Sequence, residues 1–235
     1  MRIVKASGDR VSWDSPFPET IRFAQLDWDQ VDLDLAQVDP IASRELMALG
    51  EGSIDARRRE FAAGRAAARQ ALHGLGADRV PILIGGSREP IWPTGTIGTI
   101  AHSDGMALAA AGWRKQYSGV GLDIESLDRV FADLLAMITT ESERVSLRRM
   151  LREAPDRTTV SVFAAKEALY KALFPQVGKL FGFDVAHVRP GPNPGSLTIE
   201  LVDDLAADVS AGTSYVVKTT WQPPLVLASL AIEAT

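Results

Sequence analysis

Gly119-Val120-Gly121-Leu122-Asp123-Ile124-Glu125 and, further along, Phe163-Ala164-Ala165-Lys166-Glu167-Ala168-Leu169-Tyr170-Lys171 are the two segments from which the rest of the chain is read. The first alternates with a period of two, so it predicts a strand. Val120, Leu122 and Ile124 take one face, toward a core; Gly119, Gly121, Asp123 and Glu125 take the other. The two glycines predict open space beside the acids, suited to a bulky ligand. The second segment predicts a helix on which Glu167 stacks with Lys171 and Lys166 with Tyr170, each pair four apart. Phe163, Leu169 and Leu173 point elsewhere and anchor it.

Two carboxylates, phosphate oxygens and water match the oxygen-only shell that Mg2+ prefers. Lysines nearby would neutralise phosphate charge, and Glu167 would serve as a metal ligand or as a general base. Each segment also has a plainer reading. The strand could end in a solvated D-x-E, and Glu167–Lys171 could be a surface pair worth only ~0.2–0.5 kcal/mol.

Outward from these segments, residues 20–28 read as a strand and 41–49 as a short helix. Residues 55–75 read as an Ala-rich helix with Asp55 near its start and glycines at its end. Two short strand pieces fall within 81–92, and 96–102 with 106–113 form a hairpin turning at Ser103-Asp104-Gly105. The second half predicts helices over 131–137, 141–153 and 157–174, then strands over 183–188, 197–201, 214–220 and 225–232. Each half thus mixes helices with a small sheet, with a seam near 116–119. On the 55–75 helix, Arg58, Arg65 and Arg69 fall within roughly 40° of one another, a row that fits a phosphate monoester. The plainer reading pairs that face with Glu60 and Asp55. His102, at a strand end, could donate to phosphate or bond its own turn.

With 235 residues, 46% hydrophobic and 23% charged, the chain can bury a core as one large domain or two small ones. The absence of Cys excludes disulfides, thiolate zinc and a cysteine nucleophile. A net charge of −5 argues against wholesale nucleic-acid binding. Residues 1–20 hold no apolar run of signal-peptide type, and the longest apolar run, 106–113, is far below the ~18 residues of a membrane span. The expectation is a soluble cytoplasmic protein with no membrane contact. No Walker motif, dinucleotide fingerprint or G-x-S-x-G elbow occurs.

Together these residues resemble the 4′-phosphopantetheinyl transferase superfamily, in its larger Sfp/EntD-type form and most of all its actinobacterial branch. The hallmarks are the G-[IV]-D-x-E strand, here residues 121–125, and the [FW]-x-x-K-E-[AS]-x-x-K helix, here residues 163–171. Residues 57–69 are similar to the family's arginine helix, residues 81–93 and 98–102 to the strands after it, and Phe181-Gly182-Phe183 to the segment following the catalytic helix. The resemblance implies an α+β fold built as an intramolecular pseudo-dimer. It would have an N-terminal subdomain over 1–117, a C-terminal one over 118–235, and an active site in the cleft between them.

It implies transfer of the 4′-phosphopantetheine arm of coenzyme A to a serine of an apo acyl or peptidyl carrier protein, with release of 3′,5′-ADP. Mg2+, with Mn2+ as an alternative, would be held by Asp123 and Glu125, with Glu167 completing the shell or acting as base. Lys166 and Lys171 would contact the diphosphate, Lys171 also in catalysis. Arg57 and Arg65 would hold the 3′-phosphate, with His102 near the phosphates. The partners implied are carrier domains of fatty acid, polyketide or nonribosomal peptide synthases, siderophore biosynthesis being one setting, served by a monomer. Arg144, Arg148, Arg149 and Arg152 would offer a docking surface, or simply pair with Glu141, Glu143 and Glu153. Three features depart from the family pattern: Ile84 stands where some relatives carry Lys, with Arg88 as a partial stand-in; Ala101 precedes the His; and Asp104 puts an acid near the phosphates. Mg2+-dependent hydrolysis of coenzyme A and an inactive coenzyme A-binding module remain the alternatives.

Overall fold

The computed structural model describes residues 11–50, 52–131 and 133–234. Residues 1–10, which carry half of the stretch searched for a leader, lie outside them. The first half contains β1 (Arg22–Asp27), α1 (Leu33–Val38), α2 (Pro40–Met47), α3 (Asp55–Leu75), β2 (Leu83–Ile84), β3 (Pro90–Ile91), β4 (Thr96–Ser103) and β5 (Met106–Trp113). The second contains β6 (Tyr117–Ser126), α4 (Leu134–Ile138), α5 (Glu141–Ser146), α6 (Arg148–Glu153), α7 (Pro155–Val177), β7 (Ala186–Pro190), β8 (Ser196–Leu201), β9 (Ser214–Gln222) and β10 (Leu225–Glu233).

Each half lays one long helix on one antiparallel sheet. The sheets are unequal: three strands in the order β1-β5-β4 in the first half and five in the order β6-β10-β9-β8-β7 in the second. In the first half, α3 starts with Asp55 in its first turn and ends at Gly76, whose φ of 78° is the left-handed cap that glycine takes without cost. Its buried Ala63, Ala67, Ala68 and Ala71 meet an equally small strand face, Ala107, Ala109 and Ala111 of β5. Small side chains on both partners let helix and sheet approach closely.

The second half centres on α7, whose Leu169 and Leu173 are buried in a core with Val188, Leu197, Ile199 and Val217. Gly121 and Gly119 of β6 are where α7 lies closest. A Cβ on Gly121 would sit 2.0 Å from the Ala168 carbonyl oxygen, and one on Gly119 2.5 Å from that of Ala172. The open space expected beside the acids is therefore filled by helix backbone at these positions.

The opposite face of β6 makes the seam. Leu122 and Ile124 pack with Trp13, Ala101, Met106 and Leu108, and Val120 packs with Ile97, Ala110 and Ile21. The Thr99 hydroxyl oxygen accepts from the Leu122 amide at 3.2 Å, so β4 and β6 meet through a side chain there.

Two expected elements differ. The helix expected over 141–153 is two short helices sharing Leu147, which is fully buried and has φ −86° and ψ 0°. A ψ near zero interrupts regular α geometry, and a Thr140–Glu143 capping box fixes where α5 begins. The strand expected from 183 begins as a 3-10 turn, Phe183–Val185, before β7.

Candidate active site

Packing of α7 on β6 brings Lys171 to the carboxylate strand. Its Nζ lies 2.6 Å from Asp123 Oδ1 and donates to the Leu122 carbonyl at 3.3 Å. The other Asp123 oxygen, Oδ2, and Glu125 Oε2 are buried without a hydrogen-bond partner. Arg129 Nη1 is 3.8 Å from Glu125 Oε2, outside hydrogen-bond reach. The Glu167 carboxylate, on α7, makes no hydrogen bond or ion pair among the described residues, though it feels the charges of Asp123 and Lys171.

Burial pushes all three carboxyl groups up. For Asp123 burial outweighs the pull of Lys171. For Glu125 burial and then the charge of Asp123 raise the value to about 7, against the pull of Arg129 and Lys171. Glu167 is raised by burial and by Asp123. Asp123 lifts both glutamates and Glu167 lifts Glu125 as well, and with two orphaned buried oxygens beside them the site is short of positive charge.

These residues fit a hard divalent cation on that ground. Among the described residues no three acidic or histidine side chains converge into a closed metal cage. A cation here would take the free oxygens of Asp123 and Glu125 and fill its shell from substrate and water, the manner of Mg2+.

Beside this cluster opens a cavity of about 660 Å3, lined from α3 by Arg57, Glu60 and Arg65, from the β2–β3 hairpin by Ile84 and Arg88, from β4 by Thr99 and His102, and from α7 by Tyr170, Lys171 and Phe174. Tyr170 is held by ring contacts to Phe181 at 4.8 Å and Phe174 at 5.8 Å. Arg88 sits at φ 69°, a left-handed position unusual for a side-chain-bearing residue. It lines the same cavity as Ile84. Asp104 forms the β4–β5 turn at φ 48° and is not among the residues lining the cavity.

The arginine row does not act as one face. Arg69 turns away to Glu45. Arg65 donates from Nε to the Ile82 carbonyl at 2.7 Å and lies over the Phe61 ring, and burial lowers its guanidinium to about 10. Arg57 Nη1 is bound to Glu60 Oε2 at 2.6 Å, and Glu60 Oε1 is 2.7 Å from His102 Nδ1. Glu60 is the functional candidate that sequence reasoning missed. Its only signal was the Arg57–Glu60 spacing of three.

Lys166 is not brought to the cluster. Its Nζ is buried against Glu143 Oε1 at 2.7 Å and donates to the Ile138 and Phe183 carbonyls at 2.8 and 3.0 Å. All three ammonium protons are spent inside the fold, which corrects the expectation that it contacts phosphate. Of the docking arginines, Arg144 is tied back to the Thr139 carbonyl and Arg149 to Glu153. Arg148 and Arg152 are exposed and make no ion pair among the described residues.

Fold and site together define a two-lobed α+β protein with a basic cavity opening beside a carboxylate–lysine cluster. Residues 45–112 match the 4′-phosphopantetheinyl transferase N-terminal domain, and residues 119–220 match the 4′-phosphopantetheinyl transferase superfamily. The chain is 38% identical over 136 residues to 4′-phosphopantetheinyl transferase PptT of Mycobacterium tuberculosis, covering 58% of this chain and 60% of that protein. It is 33% identical over 163 residues to 4′-phosphopantetheinyl transferase Npt of Nocardia iowensis, 69% of this chain and 68% of that one. To enterobactin synthase component D of Salmonella typhi it is 35% identical over 167 residues, 70% of this chain and 67% of that one. The chain belongs to the 4′-phosphopantetheinyl transferase superfamily. It spans about three fifths of the length of PptT. Among the described residues no helix is long and apolar enough to cross a membrane.

Proposed function

We propose that this protein transfers the 4′-phosphopantetheine arm of coenzyme A to a serine of an apo carrier protein. The observation that carries the reading is the orphaned pair of buried carboxylate oxygens on Asp123 and Glu125, one side chain away from the Lys171 that lines the basic cavity. Such a site takes a divalent cation and a diphosphate together. The subdomain division at 117/118, the carrier partner, a monomeric state and a cytoplasmic location belong to the same proposal.

The serine oxygen of the carrier attacks the β-phosphorus of coenzyme A. The bond to the adenylate side breaks and 3′,5′-ADP leaves. Asp123 and Glu125 would hold Mg2+, which when bound would supply Lewis-acid stabilisation of charge on the diphosphate. Lys171 gives fixed positive charge at the cavity wall. Glu167, whose carboxylate has no hydrogen-bond partner among the described residues, takes the serine proton directly or through water. Arg57 meets the phosphates from α3, His102 from β4 and Arg88 from the hairpin, and Arg65 contributes its buried charge from behind. Lys166 acts by holding α7 in place.

The test is to incubate the protein with coenzyme A, Mg2+ and a panel of apo carriers and to weigh each carrier. A mass gain of one phosphopantetheine is expected on at least one. Coenzyme A breakdown without any carrier, and no carrier mass change, would replace the transfer reading with hydrolysis.

A further inference from the structure

The carboxylate of Glu60 is shared between two groups that line the cavity. Oε2 accepts from Arg57 Nη1 at 2.6 Å, and Oε1 is 2.7 Å from His102 Nδ1. A carboxylate only accepts. A proton on His102 Nδ1 is the state that suits this ion-pair contact, and it leaves Nε2 without a hydrogen-bond partner among the described residues. Glu60 is 17% exposed in its side chain and His102 39%, so the contact is sheltered while the far edge of the ring stays reachable.

We propose that Glu60 is a positioning residue that fixes the His102 tautomer and the Arg57 guanidinium as one anion-reading unit. The inference rests on one part of the transferase reading, that the cavity takes coenzyme A, because the anion it reads is a phosphate of the coenzyme. His102 is faced by Glu60 and Arg57 from α3, by Lys171 from α7 and by Asp123 from β6. Burial, Lys171 and Arg57 hold it below its ordinary value against the pull of Glu60. In the free protein Nε2 is thus a lone pair facing solvent or cavity. An incoming phosphate monoanion gives its P–OH proton to Nε2 and becomes the dianion, or a dianion binds as solvent protonates Nε2, and Glu60 balances the imidazolium so formed. Arg57, drawn by the same carboxylate, cannot swing out independently. The role differs from that of a phosphate ligand, since Glu60 would repel phosphate if it touched it.

The experiment uses nitrogen-15 NMR of the histidines, of which the chain has three, so His102 separates readily from His73 and His187. The free wild-type protein should show His102 as the Nδ1–H tautomer, a result that needs no variant. Adding 3′,5′-ADP should convert it to the imidazolium. Glu60→Gln, an isosteric change whose single amide oxygen serves only one of the two donors, should mix the tautomers and weaken 3′,5′-ADP about tenfold, the scale of a charge-assisted hydrogen bond. In a transfer assay the larger share of the loss should fall on the KM for coenzyme A, the sign of lost uniform binding. In a His102→Ala background the Glu60→Gln change should cost clearly less.

An Nε2–H tautomer in the wild type, or equal cost of Glu60→Gln with and without His102, would overturn the proposal. Carriers left unmodified while the tautomer and the 3′,5′-ADP response hold would sink the transferase reading and leave this one standing. Wild-type protein that does not bind 3′,5′-ADP would sink both.

Discussion

Two lysines five positions apart on one helix make two buried ion pairs of opposite character. Lys166 and Glu143 are 2% and 1% exposed in their side chains, and every proton and lone pair at their contact is used: Glu143 also accepts from the Val188 amide at 2.9 Å and the Thr140 amide at 2.7 Å. Lys171 and Asp123 are 27% and 8% exposed, and beside them Asp123 Oδ2 and Glu125 Oε2 stay unpartnered. Both pairs have the same chemistry and nearly the same length. Saturation separates them. A saturated pair has nothing left to offer a ligand and serves as a staple between α4, α5, α7 and the approach to β7. An unsaturated one stores unmet hydrogen-bonding capacity at the cavity mouth, where substrate and cation can satisfy it.

The largest effect is expected at the open site. Glu167→Gln removes a carboxylate that no protein group uses, so the unfolding free energy should move by less than about 1 kcal/mol. Turnover should drop ~10²–10⁴-fold, the usual worth of a positioned base. Denaturant unfolding and a transfer assay on the same sample check both. Retained turnover would strike Glu167 from the mechanism.

The staple should respond in the opposite sense. Lys166→Met strands the buried Glu143 charge and should cost about 3–5 kcal/mol of stability. Adding Glu143→Gln should recover part of this, since the amide oxygen keeps the Val188 bond and no charge is left alone. If Lys166→Met folded as stably as wild type but lost coenzyme A affinity, the division between the two pairs would be wrong.

A third test uses pH on the metal-free protein. The folded-state value of Glu125, about 7, lies above its ordinary 4.5. Between those values the native protein holds a proton that the unfolded chain has released. The contribution is therefore full below 4.5 and is lost as pH rises through 7. At about 1.4 kcal/mol per unit the loss is roughly 3 kcal/mol. Unfolding in chelator at pH 5 and pH 8 should show a slope that Glu125→Gln reduces, the remainder belonging to Asp123 and Glu167, which burial also raises. The closed pair has the reverse sign. Burial raises Glu143, but the hydrogen bonds from Lys166, Thr140 and Val188 outweigh it and leave the group below its ordinary value. Its contribution is present above 4.5 and fails as pH falls below it.

How much of this was legible in the sequence follows the same division. The D-x-E strand and the Glu167–Lys171 spacing are local, and period alone predicted each element and the face its residues share; that the two elements meet came only from the family resemblance. The α3 helix and its glycine stop were legible for the same reason. The fate of Lys166 was not, because it depends on α5 folding back so that Glu143 meets α7, a contact between residues 23 apart with no periodic trace. The glycines of β6 misled because a missing side chain reads alike whether a ligand or a helix fills the gap. The break at Leu147 was invisible because the apolar and charged positions of 141–153 keep a helical rhythm through it.

The smallest effect carries the comparison to the surface. Arg149 is spent on Glu153 at 2.9 Å and Arg144 on the Thr139 carbonyl at 2.8 Å, whereas Arg148 and Arg152 are exposed and unpaired among the described residues. If saturation decides availability here as it does on α7, an acidic carrier should meet Arg148 and Arg152. Rim charges act chiefly on encounter rate and salt dependence, so Arg148→Glu with Arg152→Glu should raise the carrier KM only a few-fold, more at low salt than high. Arg149→Glu, which merely frees Glu153, should raise it less. Equal effects from both substitutions would mean that general positive charge, and not the unpaired subset, guides the carrier. No effect from either would remove this face from the docking surface altogether.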